Sequence, residues 1–243
     1  MSLLIPHQVQ DLERVYWRKV ASVRRDALVG LWPLWELSGT VAKDLSPLAS
    51  DGTYDDTMLA DQTFKDGRPY PSFVDANDEV DIYSAALAAA FDGTAGTVLL
   101  HFHITDSAVW TDGSQRLAFS LRGDGDQFIV QKTAANNAYN MAHICSGTTK
   151  FVQETSVTTT DPIALVGTWS EADDELKAFK NGAQLGSTQT GLGAWTAALN
   201  VNLCVIGAAS NFGSSPFVGA IARVAVWNVA LSAGMVNWLS QVP

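Results

Sequence analysis

Residues 97–104 read Thr97-Val98-Leu99-Leu100-His101-Phe102-His103-Ile104. In an extended chain, successive side chains point to opposite faces. Val98, Leu100, Phe102 and Ile104 then share one face, and Leu99, His101 and His103 the other. The same period of two recurs in Arg116–Leu121 through Leu117, Phe119 and Leu121, and continues through Phe128 and Val130. It returns at Ile163, Leu165 and Trp169, and again at Leu199, Val201, Leu203 and Val205. Such alternation predicts antiparallel sheets with one packed face and one wetter face. Asn181-Gly182, flanked by Leu176–Lys180 and Ala183–Ser187, predicts a tight hairpin turn. The chain reads as all-β from residue 28 onward.

Residues 8–27 differ. They contain no Gly or Pro, and Leu12, Val15, Tyr16, Val20, Val23 and Ala27 recur at three- and four-residue spacing. This predicts an amphipathic helix about 30 Å long, closed by Gly30 and Pro33. Its stripe either packs on the sheets or docks onto a partner or a second copy. Ser232 is the expected N-cap of a short helix from Ala233 to Leu239. The division is a helical appendage over 1–27 and one β domain over 28–243.

With 47% apolar and 16% charged residues in 243, the chain has enough apolar material for a large core. The net charge is −10. Residues 1–30 carry +2 of it, leaving −12 on the remainder, which repels phosphate backbones and argues against nucleic acid. No apolar run reaches membrane-spanning length, so no membrane insertion is expected. Met1–Gln8 lacks the features of a secretory signal, which predicts synthesis in the cytoplasm. Cys145 and Cys204, outside any Cys-x-x-Cys motif, are expected as buried thiols.

Read in order, several segments resemble the laminin-G-like, concanavalin A-like lectin/glucanase superfamily. Trp32-Pro-Leu34-Trp-Glu36-Leu-Ser-Gly39-Thr-Val-Ala-Lys-Asp44 is similar to its opening pattern W-x-L-x-E-x-x-G-x-x-x-x-D. Ser50-Asp-Gly-Thr-Tyr54, Val74–Ile82, Phe179-Lys-Asn-Gly182 and Phe217–Ser232 follow where the family has comparable segments. The resemblance implies a lectin-like jelly-roll sandwich of two antiparallel sheets with about 12–14 strands. It also implies glycan or protein binding and often a structural calcium. Here Ala222 stands where the family commonly has a calcium-ligating Asp, and Arg223 follows it. That disfavours calcium at this position, so no cofactor is expected. The helix followed by Leu28-Val-Gly-Leu-Trp-Pro-Leu34 is similar to arrangements in bacteriophage virion and tail proteins, which implies a virion location.

Several motifs invite chemistry. Glu171-Ala-Asp173-Asp-Glu175 spells the E-x-D-x-E of laminarinase-type glucanases, but it falls at a hairpin tip, where carboxylates are not held about 5 Å apart. No catalytic residue is assigned. His101-Phe-His103 puts two imidazoles on one face, too few for a metal site. Arg122-Gly-Asp124-Gly-Asp126 reads first as a turn. The expected ligand site lies instead on loops: Trp110, Asn136, Asn137, Tyr139, Trp195, Asn211 and Phe212, where rings stack on sugars and amides bond hydroxyls.

The functional expectation is a non-catalytic binding module, a phage tail or capsid decoration protein recognising a glycan or host-surface protein. Other virion proteins would be contacted through the helix, and a homo-oligomer is compatible with it. The alternatives are a ligand-free decoration protein and a laminarinase-type glycoside hydrolase. Fold alone does not choose among them.

Overall fold

The computed structural model describes residues 6–55, 62–63, 69–74, 77–135, 137–211 and 213–240, with residues 6–13, 62–63 and 69 described by backbone alone. In chain order the elements begin with α1 (Pro6–Ser22), β1 (Leu28–Trp32), β2 (Val41–Ala42), β3 (Gly52–Tyr54), β4 (Gln62–Thr63), β5 (Pro69–Tyr70), β6 (Ser72–Phe73) and β7 (Val80–Asp81). After α2 (Ala85–Ala90) come β8 (Ala95–His103), a 3-10 turn at Ser107–Thr111, β9 (Arg116–Arg122), β10 (Gln127–Lys132), β11 (Tyr139–Cys145) and β12 (Thr148–Glu154). The chain continues through β13 (Ile163–Ser170), β14 (Glu175–Lys180), β15 (Ala183–Gln189), β16 (Val205–Ile206), β17 (Gly219–Trp227) and α3 (Ala233–Ser240).

Among the described residues the strands form two large antiparallel sheets. One has seven strands in the order β1-β17-β8-β13-β14-β15, with β6 on β17; the other has eight, β12-β11-β10-β9-β16-β7-β3-β2. A β4-β5 pair stands apart. The strand number exceeds the expected 12–14 because several pairings are two residues long, too short to show a period. Val98, Leu100, Phe102 and Ile104 enter the main core with Trp32, Phe119, Phe128, Met141, Leu165 and Trp169. Asn181 and Gly182 both have positive φ, 50° and 86°, as a type I′ hairpin turn requires.

The opening motif now has physical reasons. Trp32 and Leu34 are fully buried. Glu36 accepts the Tyr54 hydroxyl at 2.7 Å and the Lys43 amide at 3.0 Å. Gly39 has φ 86°. Asp44 accepts from Leu31 N, Ser46 N, Ser46 Oγ and Ser50 N, so it fastens the first loop.

The predicted helix ends five residues early. Ser22 Oγ donates back to the Lys19 carbonyl at 2.7 Å, and Arg24 takes φ 39°. A hydroxyl bonded to its own helix competes with the helical ladder, which the absence of Gly and Pro did not reveal. The helix packs on the outer face of the seven-stranded sheet. Tyr16, Trp17, Val20 and Val23 join Leu28, Leu31, Leu99, Val166, Trp227, Val236 and Leu239 in a second hydrophobic cluster. Val15, expected on the stripe, is 58% exposed, and Leu12 has no described side chain. Ser232 sits at the start of α3, its hydroxyl accepting from Met235 N at 3.4 Å.

Two strand readings are corrected. Residues 199–204 are not a strand: Leu203 N bonds Asn200 O, and Asn202 N bonds the Asn200 side chain, so an Asx turn overrides the alternation and leaves Val201 exposed. In β9, a register shift opposite Val130/Gln131 breaks the period. Phe119 and Leu121 face the core, but Leu117 faces outward.

Candidate functional site

Among the described residues, the expected loop aromatics Trp110, Tyr139 and Trp195 are core residues. Trp110 is 2% exposed, its indole N–H donates to the Thr159 carbonyl at 2.9 Å, and its ring lies 6.1 Å from that of Tyr139. Tyr139 is 1% exposed and donates its hydroxyl to Glu154; burial, with that carboxylate beside it, pushes the phenol pKa up. Trp195 packs edge-on to Phe91 at 5.7 Å and donates to the Ala197 carbonyl at 2.7 Å. None of these three rings presents a face to a sugar. Asn137 forms the β10–β11 turn at φ 43°, its carbonyl accepting from Val157 N. Asn136 and Phe212 lie outside the described residues. Of the described members of the expected set, only Asn211 borders the face described next.

That face is the outer side of the eight-stranded sheet. Cross-strand register aligns Phe151, Ala142, Ile129, Ser120, Val205, Asp81 and Thr53 in one row. A parallel row holds Gln153, Asn140, Gln131 and Leu117. Leu117, Ile129, Ala142 and Ala209 form an apolar floor. Residues 207–211 and 213–216 lie along one side of it, tied to β9 by Leu117 N to Ser215 O and by Arg122 Nη1 to Ala209 O. Phe151 is 45% exposed at the edge of the floor. Gln115 donates to the Gln131 side chain, and Gln131 and Gln153 are half-buried. The surface thus combines a ring, an apolar floor and a line of amides, which is what a sugar's apolar face and hydroxyls require. Strand alternation could have found Phe151, Gln153 and Asn140; the floor residue Leu117 depends on the bulge.

The orphaned polar atoms point the same way. Among the described residues the buried side-chain oxygens without a hydrogen-bond partner are Glu79 Oε1, Asn140 Oδ1 and Asn211 Oδ1. All three oxygens belong to this sheet face or the segment beside it. A buried acceptor left unpaired costs about 1–3 kcal/mol, so each calls for a donor or a cation.

The acidic motif of the β13–β14 turn is dispersed. Glu171 accepts the Trp195 amide at 2.5 Å, Asp173 accepts the Ser170 hydroxyl at 2.8 Å, and Glu175 pairs with Lys177. Asp173 and Glu175 line a cleft of about 240 Å³ with Leu231 and Ser232, but Glu171 does not. Glu171 and Glu175 therefore do not share this cleft. In the Arg-Gly-Asp-Gly-Asp stretch, Asp124 accepts from Asn200, and Asp126 accepts from Ser146 N, Thr196 N and Ala197 N. These N–H donors hold the Asp126 carboxyl below its ordinary pKa against burial, which acts first and in the opposite sense. His101 and His103 are buried beneath Tyr16 and Tyr70, at ring distances of 5.9 and 5.3 Å. Cys145 and Cys204 are free and buried, which pushes both thiols up to about 12.

A comparison with curated proteins finds no match. Among solved structures, the receptor binding domain of botulinum neurotoxin C/D mosaic serotype is similar at TM-score 0.68 and 7% identity, over 89% of this chain and 51% of that one. The botulinum neurotoxin serotype D binding domain gives 0.67 and 10%, over 92% and 52%. Trypanosoma rangeli sialidase gives 0.62 and 10%, over 96% and 37%. The chain spans about half the length of the neurotoxin domains it matches. At these identities the likeness is one of fold. The model of the concanavalin A-like lectin/glucanases superfamily matches residues 75–237, and the chain belongs to that superfamily.

Proposed function

We propose that this lectin-like domain is a non-catalytic binding module that takes a glycan on the outer face of its eight-stranded sheet. One observation carries the reading: a single face joins the exposed ring of Phe151, the floor of Leu117, Ile129 and Ala142, and the amides Gln115, Gln131, Asn140 and Gln153. Aromatic–sugar stacking and amide–hydroxyl bonds need such a mixture, with a few polar groups set around an apolar base. The receptor binding domain of botulinum neurotoxin C/D mosaic serotype and the serotype D binding domain, both similar in fold, are binding domains, which supports a binding role. The separation of Glu171 from Asp173 and Glu175 supports the non-catalytic part. A virion location stays a proposal resting on the opening motif. The helix's buried stripe belongs to the sandwich, so contacts with other virion proteins or a second copy would use its charged face.

A glycan array probed with the full chain tests this. Selective binding is expected, and Phe151→Ala and Gln131→Ala should each weaken it at least ~10-fold, the weight of one good contact. Binding indifferent to both substitutions would overturn the site. Release of reducing sugar abolished by Glu171→Gln would overturn the non-catalytic reading.

A further inference from the structure

On the opposite side of the sandwich, α1 forms a cleft with the chain that leaves β1. Arg14, Trp17, Arg18 and Ala21 recur at three- and four-residue spacing, so they share one flank of the helix. With Trp35 and Leu45 they line a cleft of about 220 Å³. Its walls are fixed before anything enters. Trp17 is 3% exposed and meets Trp35 edge-on, with ring centres 6.3 Å apart. The Leu45 amide donates to the Leu31 carbonyl at 2.8 Å, and the bonds of Asp44 fasten the same loop. Trp35 is only half-buried and Leu45 is 40% exposed, so apolar surface remains open at the mouth.

The side-chain chemistry of the cleft is one-sided. Its polar side chains are all donors: the guanidinium groups of Arg14 and Arg18 and the indole N–H of Trp17. Both arginines are exposed, and among the described residues neither forms an ion pair. Arg24, nearby on the chain, is by contrast paired with Asp26 at 2.9 Å. Trp17 Nε1 is buried without an acceptor. On a chain of net charge −10, two unpaired arginines one helical turn apart draw an acidic partner. The apolar walls add a second demand, for one apolar group. Size decides what carries it. Pockets for small-molecule ligands run to roughly 300–1,000 Å³. The cleft is smaller and takes one large side chain, the usual anchor of a protein partner.

We propose that this cleft docks an acidic segment of a partner protein, which seats one large apolar side chain against Trp35 and Leu45 and sets its carboxylates on Arg14 and Arg18. A guanidinium fork matches a carboxylate with two parallel hydrogen bonds, so two arginines fix both the charge and the orientation of the segment. The helix lies on the outer face of the seven-stranded sheet, and the proposed glycan face belongs to the other sheet. Both sites can be filled at once: the partner holds the domain by its helix while the opposite face stays open. The docking site does not rest on the glycan reading.

The test titrates the nitrogen-15-labelled full chain with three short synthetic peptides and reads the indole N–H signals of Trp17 and Trp35. The first peptide has phenylalanine between two acidic residues on each side. The second replaces the phenylalanine by alanine, and the third replaces the acids by lysine. The first should shift the Trp35 and Trp17 signals, with the other two at least ~10-fold weaker. Raising salt from about 50 to about 500 mM should weaken it further. Arg14→Glu with Arg18→Glu should abolish the response. Both side chains are exposed, so the unfolding midpoint should stay in place. Arg14→Gln with Arg18→Gln is the milder pair should the first not fold, and should weaken binding at least ~10-fold. No indole shift with ~5 mM of the first peptide would overturn the proposal. So would equal responses to all three peptides, or a response that survives in both variant pairs. Sedimentation showing that the chain pairs with itself through Arg14 and Arg18 would assign the cleft to a second copy and equally overturn it. Glycan binding should be unchanged in the variants, so the two readings fail separately.

Discussion

The guanidinium carbon of Arg223 lies 4.0 Å from the centre of the Tyr16 ring, joining the closing strand to the first helix. Arg223 sits where β17 bulges against β8, between Ile221 and Val224. The Tyr16 hydroxyl also reaches His101 Nε2 and the Leu239 carbonyl, each at 3.3 Å. One ring thus ties α1 to β17, β8 and α3. Tyr16→Ala should destabilise the chain by about 3–5 kcal/mol through cavity formation and loss of the cation–π contact. Tyr16→Phe, which loses only the hydroxyl, should cost about 1 kcal/mol. Urea unfolding checks both. A Tyr16→Ala loss below about 0.5 kcal/mol, the range of ordinary surface changes, would mean the helix is not part of the cooperative core.

Trp110 and Phe151 should separate stability from binding. Trp110 is buried and hydrogen-bonded, so Trp110→Ala should cost about 3–5 kcal/mol. Phe151 is 45% exposed on the outer face, and Phe151→Ala should move stability by only about 0.5 kcal/mol. Paired denaturation curves distinguish the two. Equal costs would contradict the assignment of one ring to the core and the other to the surface.

His143 makes a pH prediction. The imidazole is fully buried, 6.1 Å from the Trp169 ring, with Nε2 3.4 Å from the Cys145 sulfur and Nδ1 unpaired. Burial lowers its pKa from 6.5 to about 4, despite the opposing field of Asp126. Between those values the unfolded chain binds the proton and the folded chain does not. Stability due to the neutral ring is therefore full above about pH 6.5 and falls as pH drops toward about 4, by about 3 kcal/mol at most. His143→Gln should flatten this limb of the stability–pH curve. Glu79, raised above its ordinary value, acts with the opposite sign, losing its contribution as pH rises through about 7. An unchanged acid limb in His143→Gln would assign the loss to other groups.

The legible parts were those governed by local rules. The alternation of 97–104 placed Val98, Leu100, Phe102 and Ile104 in the core without reference to anything distant. The Asn181-Gly182 turn and the Ser232 cap depend on backbone preferences a few residues long. The site was less legible. Trp110, Tyr139 and Trp195 lie at or near strand ends, where sequence gives no sign of whether a ring turns outward or fills the end of the sandwich. Local polar bonding also misled: the Asn200 turn defeated the alternation of 199–205, and the Ser22 hydroxyl shortened the helix.

From residue order alone, this protein is a double layer of antiparallel strands with one helix ahead of it, because period-two hydrophobicity and turn chemistry act between near neighbours. Only the folded molecule decides which side chains share the proposed ligand face. A bulge in β9 turns Leu117 outward, register brings Phe151 into line with Ile129, and a distant segment lays Asn211 beside Asp81. Those pairings join residues tens of positions apart, and no short-range preference encodes which strand will lie beside which.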